Sequence, residues 1–334
     1  MSTLNPVPAS RNLHPAAGVA LLAVMSAVSV MLLVALAFSG SVQIETRTAI
    51  YRREATQAYA LAAGGVQTAI LEIAYPPPKG QRSNPPRWEE GQRLLRVPYK
   101  SGQALVEIVN ETGKLDLNSA QPEQLARLFV VRGLERLAAA DLAAAIEGWR
   151  NPAAAHGSRA SQGLEGYYRD AGIQPAHAHF SSLEEVLRVR GMTRDVFFGA
   201  AELTPQESIR RLYGVGQDLT IYSGGSQVNV NYASEAVLVS VPGLDEGLVR
   251  SLLEERSRKP FKSLNDFEQR QGIILPPDAV PFLTTAVCQF YTIVSVGAVQ
   301  GSPVRRAVKA VVQVAPQQPG ARYRIIGWYD DVTD

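Results

Sequence analysis

Leu115-Asp116-Leu117-Asn118-Ser119-Ala120 and Val228-Asn229-Val230-Asn231-Tyr232-Ala233 are two versions of one motif, and reading them as copies decides how the chain is organised. Each alternates apolar and polar residues and then leads into a helix start. Pro122 suits the first helical position of the first copy, and Ser234 suits the N-cap of the second. Each copy later carries Phe-x-Ser-Leu, with Phe180, Ser182 and Leu183 in one and Phe261, Ser263 and Leu264 in the other. Asn118 stands 62 positions before Phe180, whereas Asn231 stands 30 before Phe261, so the first copy holds about 32 extra residues. They fall around Asn151–His179, a stretch rich in Ala, Gly and His and without periodicity.

The second copy reads as a helix-hairpin-helix, or SAM-like, unit. Val237, Leu238 and Val241 close one helix, Pro242-Gly243-Leu244 makes the hairpin, and Leu248, Leu252 and Leu253 line the next helix. Such units clamp a nucleic-acid backbone when a Gly-apolar-Gly turn aims consecutive N–H groups at a phosphate. Here the turn is Gly243-Leu244-Asp245, so a carboxylate replaces the second glycine, and Glu246 stands beside it. Two acids at that point repel a phosphate. Arg250, Arg256, Arg258, Lys259 and Lys262 are offset by Glu254, Glu255 and Asp266. The hairpin therefore reads as a protein-packing module, with no nucleic-acid partner.

Outward from the duplication the chain turns to strands. Leu94–Val97 and Leu105–Val109 precede it; Phe290–Val299 and Val304–Val314 follow it, joined across Gln300-Gly301-Ser302-Pro303, and Tyr323–Tyr329 adds a third late strand. The expectation is an α+β fold in which early and late strands form one small antiparallel sheet, with the helical region inserted between them.

Further out lies the N-terminal segment. Val19–Phe38 is almost wholly apolar and no charge appears from Val19 to Ile44, so about 20 apolar residues could span the ~30 Å of a bilayer. Charge bias leaves the orientation open, with Arg11 before the run and Arg47, Arg52 and Arg53 after it. A helical pattern continues beyond: Ala55, Ala58, Ala62, Val66, Ala69, Ile70 and Ile73 recur at threes and fours. Pro76-Pro77-Pro78 ends it, and residues 76–92 read as a surface loop.

These features together resemble a known family. Gly18-Val19-Ala20-Leu21-Leu22 at the polar–apolar boundary is similar to the prepilin signal of type IV pilins and type II secretion pseudopilins. Ala58-Tyr59-Ala60-Leu61-Ala62 with Gly65-Val66 resembles the amphipathic half of their long helix. With both asparagine motifs in order, the chain resembles minor pseudopilin K of the type II secretion system (general secretion pathway protein K). The resemblance implies cleavage by a prepilin peptidase after Gly18, methylation of a mature N-terminus at Val19, and a single-pass inner-membrane anchor with a periplasmic head. It implies other minor pseudopilins and the major pseudopilin as partners, and a place at the pseudopilus tip. The fifth mature position, glutamate in most of the superfamily, is Ala23 here, and this subgroup tends to lack that glutamate.

The implied domains are a leader (1–18), the transmembrane and amphipathic helix (19–75), a loop with the first strands (76–110), the two repeats (111–225 and 226–285) and the last strands (286–334). Proteins of this subgroup can carry calcium in acid-rich loops of the insert. The matching loop, Trp149–Ala155, is poor in acids, with only Glu165 and Asp170 nearby, so no metal or cofactor is expected.

Composition bounds the remaining classes. A net charge of +2 over 334 residues supplies neither a basic field for nucleic acid nor an acidic tail. The single cysteine, Cys288, cannot form an internal disulfide. His14, His156, His177 and His179 have no metal-spaced partners, Gly214/Gly216 and Gly224/Gly225 lack the spacing of a phosphate loop, and no nucleophile elbow is present. The chain reads as a structural subunit and not an enzyme. The alternatives are a membrane-tethered helix-hairpin-helix DNA receptor or a type IV pilus minor pilin.

Overall fold

The structure, a computed structural model, describes residues 16–76, 88–151, 166–203, 209–315 and 322–330. It divides into two compact units, Met1–Gln57 and Ala58–Asp334, and helix α1 (Ala16–Ala74) contributes to both. The leader before residue 16, Pro77–Arg87, His14, His156 and Glu165 lie outside the described residues, and of Gly18 and Val19 only the helical backbone is described.

In the first unit, the described large apolar side chains from Leu21 to Phe38 are 59–72% exposed. Ser26 and Ser29 donate to the carbonyls of Leu22 and Met25, both at 2.8 Å, so their hydroxyls are satisfied inside the helix. Among the described residues no helix is long and apolar enough to cross a membrane. Val19 and Ala37, both within the apolar run, are outside the side chains described.

In the second unit, five strands form an antiparallel sheet in the order β1 (Leu94–Tyr99), β2 (Gly102–Asn110), β9 (Phe290–Val299), β10 (Arg305–Val314), β11 (Tyr323–Asp330). The central ladder pairs Gly102–Asn110 with Val299–Tyr291, joining chain ends on either side of the duplication. The stripe read from the sequence is the buried one: Ala58, Ala62, Val66, Ala69 and Ile70 are fully covered, against Ala104, Val106, Ile108, Ile293, Val308 and Ala310 of the sheet. Small residues let the two layers approach. A methyl on Gly297 would overlap the Ala58 carbonyl and the Ala62 amide, and one on Gly65 would overlap Ser295, Ala104 and Val106. The supposed loop before β1 ends in a buried anchor, Trp88, whose Nε1–H donates to the Gln92 carbonyl at 2.6 Å.

Between β2 and β9 the chain builds a second core of its own from two repeats. The first holds β3 (Leu115–Asp116), α2 (Pro122–Val131), α3 (Arg136–Arg150), a 3-10 turn Leu183–Arg188, α4 (Arg194–Phe198), the hairpin β4 (Gly199–Leu203) and β5 (Ile209–Tyr213), and β6 (Leu219–Thr220). The second holds β7 (Val228–Asn229), α5 (Glu235–Ser240), α6 (Glu246–Arg258), α7 (Leu264–Gln271) and β8 (Leu283–Thr284). Each repeat opens and closes with a short strand, and the two strands pair in parallel: β3 with β6, β7 with β8. The stretch read as aperiodic in the first copy is not all loop. Residues 166–170 are helical, and Tyr168 is buried edge-on to Trp149, ring centroids 5.5 Å apart.

Candidate interaction site in the duplicated insert

The repeated asparagines do the same job in both copies. Asn118 Oδ1 accepts from the Phe180 amide at 2.7 Å, and its Nδ2 donates to the Phe180 carbonyl at 3.2 Å. Asn231 makes the same pair with Phe261, at 2.8 and 2.9 Å. Each asparagine thus substitutes for a missing strand partner and fixes the backbone of the repeated phenylalanine. The residue two before prepares it: Asp116 accepts from the Asn118 amide at 2.8 Å and Asn229 from the Asn231 amide at 2.9 Å. The clamped rings then enter the core, Phe180 stacked on Trp149 at 6.3 Å and Phe261 edge-on to Phe267 at 5.6 Å. A guanidinium seals each motif from the far helix. Arg150 donates to the Leu117 and Ala120 carbonyls, both at 2.6 Å, and Arg256 to the Val230 carbonyl at 2.8 Å. Burial, with Arg93 nearby, pushes the Arg256 pKa down to about 10.

Helix α5 closes at Ser240, Gly243 turns the chain at φ +81°, and α6 begins at Glu246. Pro242 and Leu244 flank that glycine, and Leu244 is buried in the core. Asp245 does more than discourage a phosphate: its Oδ1 accepts from the Leu248 amide at 2.8 Å and N-caps α6, taking up a helix-start donor that an anion would need. The first copy has a matching turn that sequence reading missed, Gly133-Leu134-Glu135, with Gly133 at φ +105°.

Asp218 joins the copies. Its Oδ2 accepts from Arg132 Nε at 2.6 Å and Nη2 at 2.5 Å, and its Oδ1 from the Ser234 hydroxyl at 2.7 Å. Burial raises its pKa above the ordinary 3.8, against the lowering by Ser234 and Arg132. A second buried carboxylate, Glu111, joins insert to sheet, binding Lys114 at 2.7 Å, Thr220 at 2.6 Å and Thr292 at 2.5 Å. Beside the second clamp, a cleft of about 310 Å³ is lined by Glu89, Gly91, Tyr232, Lys259 and Phe261. Its base is closed by the Gly91 amide donating to the Tyr232 hydroxyl at 2.7 Å.

His177 and His179 are exposed, Gly214 follows β5, Gly216 opens a 3-10 helix, Gly224 and Gly225 lie in the irregular stretch between β6 and β7, and among the described residues no group of three His, Cys, Asp or Glu side chains is placed to hold a metal. Ala23 is exposed on α1.

Residues 228–282, which run from β7 through the second clamp to the turn before β8, match the family "Type II secretion system (T2SS), protein K". A chain in "The Crystal Structure of the GspK-GspI-GspJ complex from enterotoxigenic Escherichia coli Type 2 Secretion System" is similar in fold. The TM-score is 0.53 and the identity 15%, over 86% of this chain and 100% of that one. No curated protein sequence matches significantly. The expected resemblance to the protein K family is borne out by the match over the second repeat, and the α+β fold with its antiparallel sheet is of the same kind as that structure.

Proposed function

We propose that this chain is a minor pseudopilin of the type II secretion system that caps the tip of the periplasmic pseudopilus and primes its assembly for protein export. The observation that carries the reading is the combination of a helix-backed sheet with an insert of two clamped repeats, the second of which is the segment matched by the protein K family. The chain acts as a structural subunit, not an enzyme, anchored in the inner membrane by the apolar run within α1.

Assembly follows from the physics of the anchor. In a pilin-like bundle the fifth-position glutamate neutralises the N-terminal ammonium of the subunit added before, because an unpaired charge at that depth costs a few kcal/mol. A subunit with Ala23 offers no such carboxylate but still presents its own amine at Val19. It suits the first position, with nothing ahead of it. Its partners are other minor pseudopilins, as in the complex of the similar structure, together with the major pseudopilin and a prepilin peptidase. Protein extracted from membranes should begin at Val19, and Gly18→Val should retain the leader. Deletion should abolish export while leaving the folded substrate in the periplasm. A mature chain beginning at Met1, or crosslinks that place this subunit regularly along the filament shaft, would sink the reading.

A further inference from the structure

One face of the sheet packs on α1; on the other, the insert covers Thr292 through Glu111 and Lys114, and the stretch beyond it is open, mixing apolar and charged residues. In register across it stand Leu94, Glu107, Val294, Lys309 and Tyr329, and beside that row Arg96, Leu105, Val296 and Ala307. Leu94 is 61% exposed, Leu105 43% and Tyr329 47%. With strands ~4.8 Å apart and same-face residues ~7 Å apart, these two rows and their margins cover roughly 300–400 Å². That is within the ~300–600 Å² of the largest patch on an ordinary monomer, which is often functional. It is about half of the ~800 Å² that each partner of a stable globular interface buries, so it does not suit a second copy of the whole chain. Across five strands it is about 19 Å long, the length of about three turns of one helix.

The charges on this face define the helix. Glu107 is paired with Arg93 at 2.5 Å, and Lys114 with Glu111. Lys309, in the patch, has the Tyr329 ring beneath its ammonium, 5.6 Å from the centroid; among the described residues Glu111 and Glu184 act on it from beyond ion-pair distance and no carboxylate comes within it. Arg96 at the rim is exposed. Burial pulls the Lys309 pKa down, helped by Lys114 and opposed by Glu111 and Glu184. An ammonium half-withdrawn from water on an apolar surface is a charge waiting for its partner.

We propose that this open face receives one amphipathic helix of a neighbouring pseudopilin, whose apolar stripe carries a carboxylate that pairs with Lys309. The inference rests on the pseudopilin reading for its partner and goes beyond it in assigning the surface. The test uses the full chain in its own membranes, co-expressed with the minor pseudopilins of the same system, with a photo-crosslinking residue at Leu105 or, separately, at Leu36 of α1. The Leu105 adduct should map to a helical, carboxylate-bearing segment of a partner pseudopilin. Lys309→Glu should cut its yield at least tenfold, Lys309→Gln by less, and Lys309→Arg within twofold, while the Leu36 adduct stays unchanged in all three. An adduct to a second copy of this chain, to an extended strand, or one indifferent to Lys309→Glu overturns the proposal. So does a Leu36 adduct without one at Leu105, which leaves the pseudopilin reading standing. No adduct to a pseudopilin at either position removes both.

Discussion

Two asparagine side chains hold the insert together by doing the work of backbone. Asn231 is 4% exposed, and both its bonds to Phe261 are buried. Replacing it with alanine strands an N–H and a C=O without solvent, and each such group costs about 1–3 kcal/mol. Asn231→Ala should therefore lower stability by about 2–4 kcal/mol, and Asn118→Ala by less, because its clamp is only part-buried. Asn231→Asp should not rescue, since a carboxylate would face the Phe261 carbonyl. Thermal unfolding of the purified full chain checks the order of the three. At this scale the asparagines and phenylalanines were legible, because recurrence marks a position even when its partner is unknown. Arg150 and Arg256 were not. They seal equivalent carbonyls from helices of unequal length, Arg136–Arg150 and Glu246–Arg258, so no fixed offset from the motif points to them.

Among the elements, α1 on the sheet was readable from one partner only. The threes and fours of Ala58, Ala62, Val66 and Ala69 give the buried stripe, because a helix repeats its face every 3.6 residues. A strand shows which residues point inward but not how closely the next layer lies, and so Gly297 carried no signal. Gly297→Ala would force α1 away from β9, an overpacking that costs about 1–3 kcal/mol or more. It should lower the melting temperature of the full chain by several degrees, while Ala298→Ser, on the opposite face, should leave it unchanged. Trp88 and Tyr168 were hidden for another reason. Each lies in a stretch without period, Tyr168 beside an exposed Tyr167, and only a tertiary pocket decides which aromatic is core. The Asp245 cap makes a third expectation. Asp245→Ala should cost about 1 kcal/mol and Asp245→Gly only a few tenths, read as shifts in denaturation midpoint. Neither exchange supplies the basic surroundings that duplex DNA requires, so both should leave DNA binding absent in a salt-dependent assay.

At the level of the whole molecule, Asp218 ties repeat to repeat and Glu111 ties insert to sheet. Burial holds the Asp218 proton more tightly in the folded chain than in the unfolded one, so this group's contribution is fully present below about pH 4 and fades as pH rises through the folded value. Unfolding midpoints taken across that range should fall more steeply with pH in the native chain than in Asp218→Asn, the difference isolating this carboxylate from the others. The central ladder has a further consequence, in the order of events during synthesis. Its two strands, Gly102–Asn110 and Phe290–Val299, are separated by the whole insert. Closing so long a loop from an open chain costs about 4–5 kcal/mol in chain entropy. The insert removes most of that cost once its own core has formed, because Asn110 then grips the Cys288 backbone at 2.9 and 3.1 Å and aligns the strands. Until residue 299 has emerged, β2 has only β1 beside it and a naked edge on its other side, the kind of edge on which nascent chains aggregate or are seized by proteases and chaperones.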